Sequence, residues 1–378
     1  HVTTFHAKRV AYMSVCTAEQ FGVSGEALQD LAVCALLHDN ALTQYLHEEF
    51  RGDSSAAECL PELPHLGAHC VMGEENISAL PFHTNVENII LYHHENADGS
   101  GSFGKTWQEI PLGARIIRLC DLLDAFCRAD VFTPDVWERA NAFLTRVRGR
   151  IVDEECADAF LRAFSEQHFC SLGGRGLEER LWGKVPRTKQ QLDFAQVKAL
   201  AKFFAKIVDY KSPFTSTHSL GVADDAECLA RFMGFDEDTA QKMYLAGALH
   251  DIGKVAIGNE ILEKPGRLTD SEYAEMKHHA AYTYYVLSEV QDFAELRDWA
   301  AFHHEHLDGT GYPFGKNESE LNTQERIMAC VDIYQALTEN RPYKAGMSHE
   351  KACSILLDMA EKGWLDRAIV EQVNACFA

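Results

Sequence analysis

Histidines and aspartates recur along this chain at matched intervals, in two copies. His6 to His38 spans 32 residues, and so does His218 to His250; His69 to His93 spans 24, as does His279 to His303; Arg115 to Asp121 spans six, as does Arg326 to Asp332. The offset between copies is 212 at the His-Asp pairs (His38-Asp39 and His250-Asp251), 210 at the double histidines (His93-His94 and His303-His304) and 211 at the last aspartate. A lone histidine on an apolar face is usually a packed core residue. Six positions repeated with a common ruler are not explained that way, and they demand one fold built twice.

Length agrees with two domains, since 378 residues with 46% apolar content can bury two cores of ordinary size. No apolar run approaches the roughly 18 residues that cross a bilayer, and no signal peptide is visible. The chain starts at His1 without Met, which reads as a trimmed sequence and leaves open what precedes it. The twelve cysteines form no C-x-x-C pair and sit mostly among apolar neighbours, as reduced cytoplasmic thiols do. With 35 basic and 57 acidic side chains the net charge is −22, a field that repels nucleic-acid polymers and anionic membranes. Attraction for a phosphate compound must therefore be local, from metal ions and a few Lys or Arg.

Strand-like alternation is scarce, so the expectation is an all-α chain. Residues 192–208 place Leu200, Phe203, Phe204, Ile207 and Val208 on one helical face. Val222 to Met233 and Ala240 to Leu249 also fit helices, the second delivering His250 and Asp251 at its C-terminal end. The glycines of Ser171–Gly176 and the polar Val185–Gln191 stretch mark the boundary. Copy 1 then occupies 1–185 and copy 2 occupies 192–378. Copy 1 has only five residues before His6, so it lacks a counterpart of the 192–208 helix or obtains one from elsewhere.

Neutral imidazoles together with carboxylates suit first-row transition metals such as iron, manganese or zinc. The aspartate of an adjacent His-Asp pair can bridge two ions, which together clamp a phosphodiester. Copy 2 offers seven ligands for such a pair: His218, His250, Asp251, His279, His303, His304 and Asp332.

The blocks His250-Asp251-Ile252-Gly253-Lys254 and His303-His304-Glu305 followed by Asp308-Gly309-Thr310-Gly311-Tyr312-Pro313 carry a specific likeness. The chain resembles the HD-GYP phosphodiesterases, a branch of the HD superfamily, and in particular the Vibrio tandem HD-GYP enzymes acting on 3′,3′-cyclic GMP-AMP. The likeness spans 192–378 and, more weakly, 1–130. It implies two tandem HD-type helical domains and two divalent ions, iron or manganese foremost. His218, His250, Asp251 and Asp332 would hold one ion; Asp251 would bridge, with His279, His303 and His304 on the other. His279 matches the family's Met-Lys-x-His run, with His278 its rival. Asp251 and Lys254 would be the catalytic pair, Lys254 beside the scissile phosphate. Arg341 and Lys344 match residues that grip phosphates. By the same likeness Tyr312 would shape the pocket, and its loop would contact signalling-protein partners. Phe214 stands where some relatives carry a third-metal Glu, Gly221 where the family has Arg, and Gln335 where it has a second aspartate.

Copy 1 keeps His6, His38, Asp39, His69, His93, His94 and Asp121. It has Leu42 for the lysine, Ala41 for the glycine, and Gly101-Ser102 for Gly-Tyr-Pro, while Asp130 and Thr133 stand for the phosphate grips. The expectation is an enzyme that hydrolyses a cyclic dinucleotide in copy 2. 3′,3′-cyclic GMP-AMP is favoured over cyclic di-GMP as its substrate. Copy 1 would be catalytically silent and serve structure, regulation or homodimerisation. The rival expectations are a degenerate cyclic-dinucleotide sensor and an HD phosphohydrolase acting on another nucleotide.

Overall fold

Side-chain caps set where many of the helices begin. In the second half, Asp193 and Gln196 form a capping box before the Phe194–Tyr210 helix, Asp236 accepts from the Thr239 N–H before Glu237–Leu249, and Thr269 with Glu272 boxes Asp270–Ser288. Asn322 with Glu325 does the same for Thr323–Thr338. Each cap satisfies N–H groups that have no partner inside the helix, a contribution of about 1 kcal/mol.

The computed structural model describes residues 2–50, 67–127, 135–174, 176–211, 218–264, 266–340 and 345–378. Among them there is no strand, only the isolated bridges Asp98–Thr106, Arg148–Val152 and Asp308–Asn317. The all-α expectation holds. The chain divides into two units, His1–Leu192 and Asp193–Ala378.

In the second unit the helices His218–Phe232, Glu237–Leu249 and Thr323–Thr338 bury one core, with Val222, Ala226, Leu229, Met243, Tyr244, Ile327, Met328 and Val331 inside it. Small residues let the first two helices approach closely. A Cβ on Gly247 would stand 2.6 Å from the Ala223 Cα, so only glycine fits there. A fully buried side chain such as Leu229 contributes roughly 1.5–3 kcal/mol. The Phe194–Tyr210 helix starts two residues later than the sequence pattern predicts, and its buried set differs. Ala201, Phe203, Ala205 and Val208 turn inward, whereas Phe204 is 40% exposed. Small alanines at the contact, not bulk, decide which stripe faces in.

The first unit repeats the plan. Val2–Glu19, Gly25–Leu36, Gly67–Ile77 and Leu112–Cys127 stand in the order of the four second-unit helices that carry or end at candidate ligands. Its own last helix, Leu177–Lys184, returns to pack on Val2–Glu19, tied by Lys8–Glu178 at 2.5 Å and Lys184–Glu19 at 2.6 Å. The first unit thus covers its opening helix from within. Among the described residues eleven cysteines are free, and eight are buried.

Candidate metal centre

His250 follows the last turn of Glu237–Leu249, and a short 3-10 turn, Ile252–Ala256, comes directly after Asp251. That turn is pinned to the helix Asp270–Ser288. Thr283 Oγ1 accepts from the Gly253 N–H at 3.0 Å and donates to the His250 carbonyl at 2.8 Å. A Cβ on Gly253 would lie 2.0 Å from the His279 carbonyl oxygen, so glycine is required where the turn meets the helix. The contact seats the His-Asp pair beside His279, although 28 residues separate Asp251 from His279 in sequence.

Three imidazoles are oriented by the same device. The Nδ1 of His250, His279 and His303 bonds the carbonyls of Gly247, Met276 and Ala300, at 2.7, 2.7 and 2.6 Å. Each carbonyl lies three residues back, so each Nδ1 carries a hydrogen and each Nε2 is turned into the cage. The Nε2 groups converge: His279 Nε2 is 3.4 Å from His303 Nε2 and 3.4 Å from Asp251 Oδ1. His250 Nε2 faces Asp251 Oδ2 at 3.3 Å and Asp332 Oδ1 at 3.7 Å, and His218 Nε2 lies 3.1 Å from Asp332 Oδ1. Asp251 therefore turns one oxygen to His279 and the other to His250, the posture of a bridging carboxylate. His304 Nδ1 stands 3.9 Å from Asp332 Oδ2. All seven residues named from the sequence meet in this cage, in which six are buried and His304 is partly so.

The electrostatics of the cage suit a cation. Burial alone would raise the carboxyl of Asp251, but Lys254 and His250 hold it well below the usual range; Asp332 is likewise held low, by His218, His250 and His303 against its burial. Burial opposes the charged form of His250, yet Asp251 and Asp332 push its pKa up to about 9, so the two carboxylates draw a positive charge to its ring. His279 and His303 shift downward, chiefly by burial, and His304 falls to about 3 for the same reason, leaving neutral imidazoles of the kind that bind metal.

Lys254 Nζ pairs with Asp251 Oδ2, three residues away along the turn. The Tyr312 ring packs on His304 at 4.7 Å between centroids, with Lys277 5.2 Å from its face, so it walls the cage. His278 points outward to Glu275 and takes no part. Arg341, Lys344, Phe214, Asp130 and Thr133 lie outside the described residues. Two supporting residues went unassigned in the sequence. Glu305, 2% exposed, accepts the N–H groups of Phe314 and Lys316 at 2.7 and 2.9 Å and folds the glycine loop back on the double histidine. Its repeat was visible, because Glu95 does the same for Phe103 and Lys105. Thr283 had no such signal, for its counterpart by the repeat is Gly73.

The first unit assembles a second cage. Asp39 Oδ1 lies 3.5 Å from the Nε2 of both His69 and His93, and its Oδ2 lies 3.3 Å from His38 Nε2. His6 Nε2 stands 3.3 Å from Asp121 Oδ1. With Leu42 in place of lysine, Asp39 has no ammonium beside it among the described residues, and its side chain is 33% exposed against 5% for Asp251. Arg118 donates instead to His94 Nδ1 and to Asn96 Oδ1, both at 3.0 Å.

The donor set in both cages fits divalent transition ions. Imidazole and carboxylate groups lie within 4.8 Å of one another in several overlapping trios, and the buried Nε2 atoms of His38, His93 and His250 make no hydrogen bond. A buried nitrogen without a partner is costly unless something outside the protein takes its lone pair.

Comparisons with known proteins agree with this geometry. The family model described as HD domain matches residues 2–153 and 202–369. The chain is 29% identical to 3′3′-cGAMP-specific phosphodiesterase 1 of Vibrio cholerae, over 97% of this chain and 86% of that one. It is 33% identical to 3′3′-cGAMP-specific phosphodiesterase 3 of the same organism, over 76% of this chain but 62% of the relative. A solved structure of a V. cholerae cyclic GMP-AMP phosphodiesterase, V-cGAP3, superposes with a TM-score of 0.64 at 25% identity, covering 98% of this chain and 92% of that one.

Proposed function

This chain belongs to the HD domain family, and from that premise we propose a division of labour between its two units. The chain is a cyclic dinucleotide phosphodiesterase. Its second unit carries the reaction, and its first is a cage kept without the groups that handle phosphate. The observation that supports this most directly is Lys254. It stands against Asp251 in the second cage, whereas the first has Leu42 and an Asp39 faced by the imidazoles of His38, His69 and His93.

His218, His250, Asp251 and Asp332 would hold one divalent ion, and Asp251, His279, His303 and His304 the other, with iron or manganese the preferred species. Bound there, such ions supply Lewis-acid charge to a phosphoryl oxygen and make water acidic enough to attack. The protein does the rest. Lys254 keeps its proton, since Asp251, Asp332 and Asp209 outweigh the effect of burial. It is therefore placed to offset charge on the phosphoryl oxygens and to give a proton to the leaving sugar oxygen. Tyr312 closes one wall. Arg341 and Lys344 would supply local positive charge to a protein whose net charge is −22. One oxygen of water joins phosphorus, one ester bond breaks, and the ring opens to a linear dinucleotide.

The mixed nucleotide 3′,3′-cyclic GMP-AMP is the preferred substrate, a choice supported by the relatives that align over most of this chain. The reading extends to a cytoplasmic setting and to signalling partners at the Tyr312 loop. Product analysis with 3′,3′-cyclic GMP-AMP and cyclic di-GMP side by side tests the choice. Faster turnover of cyclic di-GMP would reverse it. His250→Ala or Asp251→Ala should abolish turnover, and His38→Ala should leave it within a few-fold.

A further inference from the structure

The two cages hold their first histidine by different means. In the first unit, Asp124 accepts from His6 Nδ1 at 2.7 Å, which fixes the ring so that Nε2 faces Asp121. Asp124 is itself clamped by Arg9, at 2.5 Å from Nε and 3.0 Å from Nη2, with Arg9 and Asp124 both 4% exposed. Arg9 follows His6 by three residues, and Asp124 follows Asp121 by three. At the same two steps the second unit has Gly221 and Gln335. Arginine and aspartate have gone together, which avoids leaving either charge buried alone. The Gln335 side chain fills the space: a Cβ on Gly221 would lie 2.0 Å from its Nε2.

His218 nevertheless needs an orienting acceptor. Its Nδ1 is buried and makes no hydrogen bond among the described residues, unlike the Nδ1 of His250, His279 and His303. The acidic group that faces it is Glu339, whose Oε2 stands 3.8 Å away with its side chain 7% exposed. Glu339 lies seven residues beyond Asp332, two helical turns along the same face, and caps the Thr323–Thr338 helix. We propose that Glu339 is the positioning carboxylate for His218, replacing in the second unit the Arg9-clamped Asp124 of the first. A shift of about 1 Å brings the pair to hydrogen-bond distance. The carboxylate then holds the Nδ1 hydrogen and raises the basicity of Nε2 toward the ion.

The proposal rests on His218 being a metal ligand, so the experiment separates the two ideas. The full chain and its variants are loaded with Mn(II) and challenged with a chelator, and metal retained per chain is followed in time, with circular dichroism as the check on folding. Glu339→Ala should speed loss from one site by about 10–100-fold. Glu339→Gln keeps an acceptor of nearly the same shape and should recover most of the retention. Gly221→Arg with Gln335→Asp, added to Glu339→Ala, should restore it by rebuilding the arrangement of the first unit. If His218→Ala leaves retention unchanged, the ligand reading fails. If His218→Ala loses metal while folded Glu339→Ala holds it at the native rate, the positioning role is refuted.

Discussion

Replacing Asp124 by alanine should damage the first unit more than any single change of comparable size on its surface. The carboxylate receives three short contacts, from Arg9 Nε at 2.5 Å, Arg9 Nη2 at 3.0 Å and His6 Nδ1 at 2.7 Å. Its removal strands a guanidinium that is 4% exposed. An uncompensated buried charge costs about 3–5 kcal/mol. For a unit of this size, 1 kcal/mol moves the melting temperature by about 2–4 °C, so the expected loss is roughly 6–20 °C. The double variant Arg9→Gly with Asp124→Gln transplants the pair found in the second unit. It removes both charges together and should cost only about 1–3 kcal/mol, from a cavity and a helical glycine. The double variant is thus more stable than the single one, by about 2 kcal/mol. Calorimetry of the full chain measures the shift, and hydrogen exchange in the segments around Arg9 and Leu123 assigns the transition. A loss under about 1 kcal/mol for Asp124→Ala, or a double variant less stable than the single, would show that the pair is not held as a desolvated unit.

Further outcomes follow from the same geometry. Lys254→Met should lower kcat by about 100-fold or more while metal content stays unchanged, which pairs turnover with metal analysis; full activity would remove Lys254 from the chemistry. Thr283→Val leaves the Gly253 N–H and the His250 carbonyl without their shared hydroxyl and should destabilise the second unit by about 1–3 kcal/mol in a urea titration. Asp225, partly buried beside Asp224, has its carboxyl pushed up to about 6, first by burial and then by that neighbour. The folded chain therefore holds a proton that the unfolded chain releases, and this group weakens stability as pH rises from about 4 to about 6. Asp225→Asn should match the native chain near pH 4 and melt higher at pH 7; a gap that is constant with pH would contradict the assignment.

Much of this protein was legible in its residues. The spacing of His6, His38, His69 and His93 against His218, His250, His279 and His303 reported two copies of one fold. Helical periodicity reported its class, because a 3.6-residue period is a local property that survives in sequence. The candidate ligand set was legible as well, since metal binding demands particular side chains and the repeat recorded them twice. The charge-bearing departures, Leu42 for lysine above all, could be read the same way.

Tertiary structure decided what depends on neighbours distant in the chain. His279 and not His278 faces the cage, because one position of helical rotation separates a buried ring from an exposed one. Phe204 lies outside its helix's buried stripe because alanines made the closer contact. Thr283 holds the His-Asp turn through two hydrogen bonds that no spacing rule anticipates. Gly221 and Gln335 looked like two separate losses in sequence. In space they occupy the position of one ion pair, and Glu339, a turn further along the helix, faces the histidine they no longer hold. Sequence shows which groups are present, whereas only packing shows which of them share a boundary from which water is excluded, and there a missing partner costs most.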